Sequence, residues 1–436
     1  MSEQKITAGI YTLGCKVNQY ESEAIAERLR EEGIEILSPA SRCDIYIINT
    51  CTVTAESDRK ARQFIRRAIK QNPDAYVLVT GCLAQVDPLQ IASIKGVDFI
   101  CGNNRKLLVV DAVLRLLRDG KKPEKAEILS EAPDANGFEA MSINRFDRTR
   151  AYVKIEDGCE NHCAYCIIPS ARGQVRSKAP EEVVAEVTAL TQNGCLEVVL
   201  TGIETASYGK DLDGYKLSDL LTEVDKIPNV GRIRLGSLDP SLIKQPFVDA
   251  IAELPSVVPH FHLSMQSGSD RILAAMKRKY NSRMALENME RLRRAMPSVQ
   301  FTTDMIAGFP GETEEAFAET LDFIRKARFL MIHAFPYSKR KGTVAAELPN
   351  QVPEEIKHAR VAAITALQAE IRAEILAEQI GEVSEVLFET YKNGIAYGHT
   401  PSFIEVACPT PCPLTSKLLP VRILAVEDGC CVGELV

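Results

Sequence analysis

The sequence predicts a multidomain α/β protein: two units built on parallel sheets, then a small β barrel. Three observations carry this. Apolar strand-like runs alternate with amphipathic helical stretches up to residue 118, and the alternation resumes at residue 149. Strands separated by helices imply a parallel sheet with helices on its faces. Beyond residue 381 the helical pattern stops, and short strand-like runs are divided by Gly, Asn and Pro, as in a small barrel. The chain also has 436 residues, more than one hydrophobic core organises.

The first unit, residues 1–118, starts with a strand over 6–13 and an amphipathic helix over 21–32, which Gly33 ends. A core strand over 44–49, a helix over 59–71 and a strand over 75–80 follow. Residues 119–148 are polar and without clear period, and read as a linker. The second unit, residues 149–380, has six expected strands, at 151–155, 196–201, 231–235, 260–265, 299–306 and 329–335. Helical stretches at 180–193, 271–277, 284–295 and 314–327 lie between them. Six β/α units cannot complete the eight-stranded barrel, so an open, partial (β/α)6 barrel is expected. A long charged helix over 353–379 should close it. In residues 381–436, strands are expected at 383–389, 402–407, 418–425 and 431–435.

Composition narrows the function classes. The 45% hydrophobic and 25% charged content is ordinary for soluble globular proteins. Residues 1–5 show no basic segment leading into an apolar core, and no apolar run is long enough to cross a bilayer, so a cytoplasmic location is expected. Thirteen cysteines in a reducing compartment point to metal or redox chemistry rather than disulfides. With a net charge of −7, any nucleic-acid affinity must come from local patches.

The stretch Cys159-Glu160-Asn161-His162-Cys163-Ala164-Tyr165-Cys166 directly follows a predicted strand. It offers three thiolates in one loop. Structural zinc takes four ligands, and so does an ordinary 4Fe-4S cluster. Three leave one iron open to a substrate or cofactor. An incomplete zinc knuckle is the bland alternative, with His162 as a crowded fourth ligand. Cys15, Cys51 and Cys82 form a second set. Each follows the end of a predicted strand in the first unit, and ligands of open parallel sheets bind at the carboxyl ends of strands. Cys43 precedes its strand. Cys101 follows the short run 97–100 and competes for the site.

The C-x3-C-x2-C spacing, with an aromatic residue before the last cysteine, resembles the signature of the radical S-adenosylmethionine (AdoMet) enzymes. Further stretches resemble one family among them, the methylthiotransferases. They are Thr12-Leu13-Gly14-Cys15-Lys16-Val17-Asn18-Gln19-Tyr20-Glu21-Ser22, Asn49-Thr50-Cys51-Thr52-Val53-Thr54, Gly81-Cys82, Asp157-Gly158-Cys159, Arg234-Leu235-Gly236-Ser237, His262-Leu263-Ser264-Met265-Gln266-Ser267-Gly268 and Gly308-Phe309-Pro310-Gly311-Glu312-Thr313. The resemblance covers nearly the whole chain. It implies a cluster domain, a radical AdoMet core and a terminal RNA-binding barrel of the OB-like TRAM type. It also implies two 4Fe-4S clusters and AdoMet as cofactors. Cys159, Cys163 and Cys166 would hold the cluster that splits AdoMet. Cys15, Cys51 and Cys82 would hold the auxiliary cluster that carries sulfur, and Cys101 drops out. One AdoMet methylates the sulfur, and another makes the radical that attacks an unactivated C–H bond. An electron donor such as flavodoxin or ferredoxin is implied as a partner.

Further candidates are weaker. Tyr165 lies within the cysteine loop. Gly202 and Glu204 end a core strand, where the family binds the amino acid part of AdoMet; a plain strand-to-helix turn is the alternative. Ser264 and Gln266 alternate on a strand end and could face the barrel interior. Arg278 could bind the AdoMet carboxylate, as could Lys277 or Lys279. Residues 308–313 read as a turn that caps a helix. The helix over 59–70 has six basic residues and no acidic one, with Arg59, Arg62, Arg66 and Lys70 on one face. Phe388, Tyr391, Lys392, Tyr397, His399 and Phe403 of the last unit suit stacking on unpaired RNA. Cys408, Cys412, Cys430 and Cys431 lack partners for a complete metal site and read as free thiols.

The run from Leu13 to Ser22 is most similar to the branch that modifies N6-threonylcarbamoyladenosine next to the tRNA anticodon. The isopentenyladenosine branch typically has a different residue after the first cysteine, and the ribosomal-protein branch a Pro near it. Methylthiolation at C2 of that adenosine, position 37 in the anticodon stem-loop, is the expected function. Isopentenyladenosine as substrate and a noncatalytic iron-sulfur RNA-binding protein are the alternatives.

Overall fold

The computed structural model describes residues 5–132, 137–146 and 148–436. Residues 1–4, read above for their charge, lie outside the described residues. So do 133–136 and 147 of the polar stretch.

The first unit is a six-stranded parallel sheet: β1 (Thr7–Thr12), β2 (Glu35–Leu37), β3 (Ile45–Thr50), β4 (Tyr76–Gly81), β5 (Phe99–Cys101) and β6 (Glu127–Leu129), in the order β2-β1-β3-β4-β5-β6. Its helices are α1 (Lys16–Glu31), α2 (Ala55–Gln71), α3 (Cys82–Val86), α4 (Pro88–Ala92) and α5 (Leu108–Asp119). Every residue of β3 is buried, as in a parallel sheet covered on both faces. Two expectations are corrected. α1 starts at Lys16, five residues early, because its inward face includes the buried polar residues Asn18 and Glu21, which apolar periodicity does not register. β6 lies in the stretch expected to be a linker and pairs with β5. Three residues are too few for alternation to show.

The second unit holds β7 (Arg150–Lys154), the short ribbon β8 (Glu156–Asp157) with β9 (Arg176–Ser177), β10 (Glu197–Thr201), β11 (Arg232–Leu235), β12 (Ser237–Leu238), β13 (His260–Gln266), β14 (Gln300–Ala307) and β15 (Met331–Pro336). The helices are α6 (Ile168–Arg172), α7 (Pro180–Gln192), α8 (Leu217–Asp225), α9 (Gln245–Ala252), α10 (Asp270–Ala275), α11 (Ser282–Ala295), α12 (Glu314–Ala327) and α13 (Glu354–Ala377). Sheets β11-β10-β7 and β12-β13-β14-β15 are parallel and meet at Gly236. Six strand positions therefore run in chain order, an open partial barrel. Along β13, the buried Phe261, Leu263 and Met265 alternate with the partly open His262, Ser264 and Gln266, which line the lumen.

The other two units close this barrel. α1 packs on β7 at one edge. Past β15, at the other edge, Arg340 reaches Asp58 at 2.6 Å and Thr52 at 2.5 Å. The first unit thus spans the open side. The last unit is a closed barrel of β16 (Val383–Lys392), β17 (Ile395–His399), β18 (Glu405–Pro409), β19 (Leu418–Glu427) and β20 (Cys430–Leu435), in the order β16-β17-β18-β20-β19. It sits against the strand starts of the second unit. Phe403 stacks between His260 and His399, at 4.6 and 4.7 Å, and carries the guanidinium groups of Arg234 and Arg150. Phe388 is core. Phe388, His399 and Phe403 are therefore spent inside the protein and not on RNA.

Where the first unit meets the second, charges are buried. Glu21 of α1 is fully buried and contacts Lys106, Lys154 at 2.9 Å and Arg172 at 2.7 Å. Arg172 also pairs with Asp157 at 3.0 Å and donates to Asn18 at 2.6 Å. Burial alone would raise the Glu21 carboxyl, but Arg172, Lys106 and Lys154 hold it well below the usual carboxylate range. Removing one member of such a group leaves its partners uncompensated. Glu21→Ala should lower stability by about 3–5 kcal/mol, measured by urea denaturation of the full chain at matched iron content. A loss below about 1 kcal/mol, as for an exposed pair, would show that the network carries no such weight.

Candidate metal centres and cofactor site

The cysteine loop leaves β8 through Gly158. Its φ is +92°, and a Cβ there would stand 1.8 Å from the Gln174 carbonyl oxygen; only glycine fits. Each thiol of the loop accepts an N–H. Asn161 N lies 3.4 Å from Cys159 Sγ, Ile168 N 3.4 Å from Cys166 Sγ, and Arg278 Nη1 3.1 Å from Cys163 Sγ. Such donors favour sulfur in its anionic, metal-binding form. Burial pushes the free thiols of Cys159 and Cys166 up to about 12, so a metal held there would have to displace their protons.

The second set converges as its strand-end positions suggest. Cys15 caps α1, Cys51 follows β3 and Cys82 opens α3. Asn18 ties the loops together, donating to the carbonyls of Leu13 at 2.7 Å and Thr50 at 3.0 Å. Asn49 donates back to the Asn18 carbonyl at 2.9 Å. Burial pushes the Cys51 thiol up to about 12, and the neighbouring Cys82 and Cys15 add to it. Cys15 is exposed by surface yet desolvated by the protein around it. Among the described residues no three His, Cys, Asp or Glu side chains close on one point as ligands of a single metal ion do. A four-iron cluster takes one thiolate per iron, so its cysteines ring a hollow instead. Both sets fit such a cluster. α3, which Cys82 opens, packs against α6, which begins two residues after Cys166, so the two sets lie on facing sides of the seam between units.

Cys43 and Cys101 stand apart. Cys43 lies against the carbonyls of Ser38 and Ser41, and Cys101 against that of Arg105. Cys408 and Cys431 are buried in the last barrel, and Cys412 is exposed. A surface groove of about 420 Å³ between α1 and α7, lined by Glu27, Arg28 and Glu182, lies away from all six thiols.

The remaining candidates sit around the cysteine loop in different roles. Of the three basic residues 277–279, Lys277 and Lys279 are exposed and Arg278 turns inward. It donates to Cys163, to Asp239 at 2.9 Å, to the Ser264 carbonyl at 3.0 Å and to Tyr280 at 2.9 Å. Its donors are occupied in holding the loop. Tyr165 lies beside Arg278, Cys163 and Cys166. The Ser264 hydroxyl meets that of Ser237 at 2.5 Å. Gln266 ends β13 at φ +66°, where the register with β14 shifts. At Gly202 a Cβ would stand 2.4 Å from Glu156 Oε2, so the glycine makes room for a carboxylate as well as for any cofactor. That oxygen accepts from the Glu204 amide at 2.8 Å. Glu204 Oε2 accepts from Asn161 at 3.2 Å, and its Oε1 is buried without a partner. Burial and the charge of Asp239 push the Glu204 carboxyl up to about 7. Residues 308–313 act structurally: Glu312 accepts from the Gly308 amide at 2.6 Å and pairs with Arg360 at 2.8 Å.

Sequence reasoning missed Glu21, Lys106, Lys154, Arg172 and Asn103 as site-building residues. Asn103 donates to the Ala171 carbonyl at 2.8 Å, joining the two thiol-bearing regions. Only Lys154 stands out locally, as a charge in an apolar strand; the partners of Glu21 lie up to 151 positions away.

Comparison with known proteins fixes the class. Residues 153–324 match the Radical SAM superfamily, and residues 7–102 match the Uncharacterized protein family UPF0004. The threonylcarbamoyladenosine tRNA methylthiotransferase MtaB of Bacillus subtilis is 40% identical over 425 residues, 96% of this chain and 94% of that one. The tRNA-2-methylthio-N(6)-dimethylallyladenosine synthase of Caldicellulosiruptor saccharolyticus is 34% identical over 99% of this chain and 92% of its own. In fold, a radical S-adenosylmethionine methyltransferase, TsrM, of Kitasatospora setae aligns over 79% of this chain and 77% of its own, with a TM-score of 0.56 at 16% identity. The chain belongs to the radical AdoMet tRNA methylthiotransferases. As a member it is an enzyme that uses AdoMet and two 4Fe-4S clusters.

Anaerobically reconstituted protein should bind about eight irons, and a Cys159, Cys163, Cys166→Ala triple variant about four. Colorimetric iron analysis checks this, and an unchanged count in the variant would remove the cysteine loop from the cluster sites.

Proposed function

We propose that this enzyme methylthiolates C2 of N6-threonylcarbamoyladenosine at position 37, beside the tRNA anticodon. The observation that carries the reading is the pair of three-thiol sets facing each other across one seam. Full-length similarity to threonylcarbamoyladenosine methylthiotransferases supports the substrate. With clusters bound, Cys159, Cys163 and Cys166 would hold the one that reductively splits AdoMet to a 5′-deoxyadenosyl radical, and Cys15, Cys51 and Cys82 the one that presents sulfur.

This chain's residues do the positioning. Arg278 and the amides of Asn161 and Ile168 fix the three loop sulfurs. Glu204 offers its unpartnered oxygen to the AdoMet ammonium, with Asn161 and Glu156 setting its orientation. Ser264, Gln266, Gly202 and Tyr165 line the same end of the barrel and would border the cofactor. The first unit, residues 1–118, serves sulfur transfer, residues 149–380 radical formation, and residues 381–436 RNA contact. For RNA, the exposed Arg66, Arg67 and Lys70 of α2 lead away from the Cys51 loop, while Arg59 is held by Glu56 at 2.6 Å and Arg62 by Gln90 at 2.9 Å. Tyr391, Lys392 and Tyr397 remain for stacking and phosphate contact on the last barrel. The reductant is a flavodoxin- or ferredoxin-type donor, and the setting is the cytoplasm. No helix among the described residues is long and apolar enough to cross a membrane.

Two outcomes are expected. A Cys15, Cys51, Cys82→Ala variant should still cleave AdoMet to 5′-deoxyadenosine but transfer no methylthio group to tRNA, by nucleoside mass spectrometry. Methylthiolated product from that variant would refute the assignment. AdoMet affinity should rise with pH through about 7, because Glu204 is neutral below that value and anionic above it. The slope should approach about tenfold per pH unit on the acid side. Equilibrium dialysis should show this slope in the parent and not in Glu204→Gln.

A further inference from the structure

β15 is the edge strand of the partial barrel. Its Ile332 and Ala334 pack on the main core, with α13 over the strand, so Met331, His333 and Phe335 take the alternate face. A ring contact shows where that face looks. His333 lies 6.2 Å from His262, whose Nε2 meets Asp304 at 3.4 Å in the lumen. In register, His333 stands beside Asp304 and Phe335 beside Ile306. Phe335 is 45% exposed, and among the described residues it is the one phenylalanine or tyrosine left so open. Tyr337, two residues on, is buried edge-on against Phe309 at 5.5 Å. This segment can bury an aromatic ring, yet it turns Phe335 into a polar lumen.

Contacts on both sides place this ring between the two thiol sets. Its neighbour Ile306 packs on the apolar cluster that contains Ala164 of the cysteine loop. Three residues past Phe335, Ser338 accepts from the Ala55 amide at 3.1 Å, and Arg340 then donates to Thr52 at 2.5 Å. Both partners lie within four residues of Cys51. Chemistry on a base within RNA takes the base out of its stack, and an aromatic side chain replaces the lost stacking. Such a ring fixes the plane of the base and leaves its edges free. C2 is an edge atom of the purine, and it must meet a radical and a sulfur in turn. Two adenine rings enter the site proposed above, that of AdoMet and that of the target. Glu204, which would hold AdoMet, follows β10 in the other sheet, whereas β15 leads directly to the Cys51 loop, and the target base is the one that takes sulfur. We infer that Phe335 stacks on the purine of the target adenosine and holds its C2 edge between the two thiol sets. The inference rests on the methylthiotransferase reading of this site and adds a substrate-binding residue to it.

The test uses reconstituted full-length protein and two anticodon stem-loop RNAs. One carries N6-threonylcarbamoyladenosine at position 37, the other an abasic nucleotide there. RNA affinity is read by fluorescence anisotropy, AdoMet affinity by equilibrium dialysis and product by nucleoside mass spectrometry. Phe335→Ala should bind the first RNA about fivefold to a hundredfold more weakly than the parent, the range for one stacked base. It should bind the abasic RNA as the parent does and keep the parent's iron content and AdoMet affinity. Phe335→Tyr should retain most of the binding, and Phe335→Leu, which keeps bulk without a ring, should not. Equal weakening of Phe335→Ala on both RNAs would overturn the inference, as would a leucine variant that binds like the parent. A loss of AdoMet affinity with RNA binding unchanged would put the other adenine on this ring and overturn it too. Equal parent affinity for the two RNAs would also overturn it, while product from the first would leave the function standing. No product from the parent would fell the function reading and this inference together. Should the alanine variant lose iron, the tyrosine and leucine variants and the parent's own comparison decide.

Discussion

The arrangement depends on one buried carboxylate. Glu21 leaves α1 on the face turned toward the second unit and meets cations from three separate segments: Lys106 before α5, Lys154 at the end of β7 and Arg172 at the end of α6. With Asp157, which Arg176 also meets at 3.6 Å, four cations face two carboxylates. Removing any partner of charges this deep leaves the others uncompensated, so the network ties the first unit to the second at this seam. That docking packs α3, which begins at Cys82, against α6, just after Cys166. The surplus positive charge lies where it is needed: Arg172 acts on both Cys15 and Cys82, and thiolates there bring negative charge into the interior.

The two ends of the partial barrel do different work. At the strand starts the last unit plugs the opening with Phe403, stacked by His260 and His399 and bonded through Arg232 and Arg234 to the carbonyls of Glu385, His399 and Pro401. At the strand ends lie the cysteine loop, Glu204 and Arg278. A complete eight-stranded barrel fills its interior with branched apolar side chains. Here His262, Ser264, Gln266 and Asp304 occupy inward positions and stay partly open. Polarity keeps the lumen from collapsing into a core, while the last unit covers its strand-start end.

Much of this was legible in the sequence. The six barrel strands were placed to within two residues at each end, because each has apolar residues buried on at least its outer face, bounded by turn residues. The strand-end positions of Cys15, Cys51 and Cys82 followed from topology alone. Short elements were not legible. β2, β5, β6 and β17 have three to five residues, too few for a period to emerge. Nor were the roles of Phe388, His399 and Phe403: an aromatic side chain reads alike whether it stacks on a base, a histidine or a core. Arg278 could not be told from Lys277 and Lys279 until the chain turned it inward. Long-range ionic networks leave no local pattern, so Glu21 appeared only as part of a resemblance.

The two thiol sets also differ in what must exist before they do. Cys159, Cys163 and Cys166 lie within eight residues of one another, on a loop fixed by local amides and by Arg278. Most of their geometry is written into one segment. Cys15, Cys51 and Cys82 are carried by three segments that meet only once β1, β3 and β4 have paired, with Asn18 and Asn49 locking the loops. An unfolded chain therefore offers iron one set of closely spaced thiols and no second set. With the clusters assigned as proposed, metal binding at the dispersed set would be coupled to formation of the whole sheet. At the contiguous set it would be coupled mainly to the order of one loop. Because the same strand order also brings Glu21 to its cations, the sheet that assembles the second site is the one that aims it at the first.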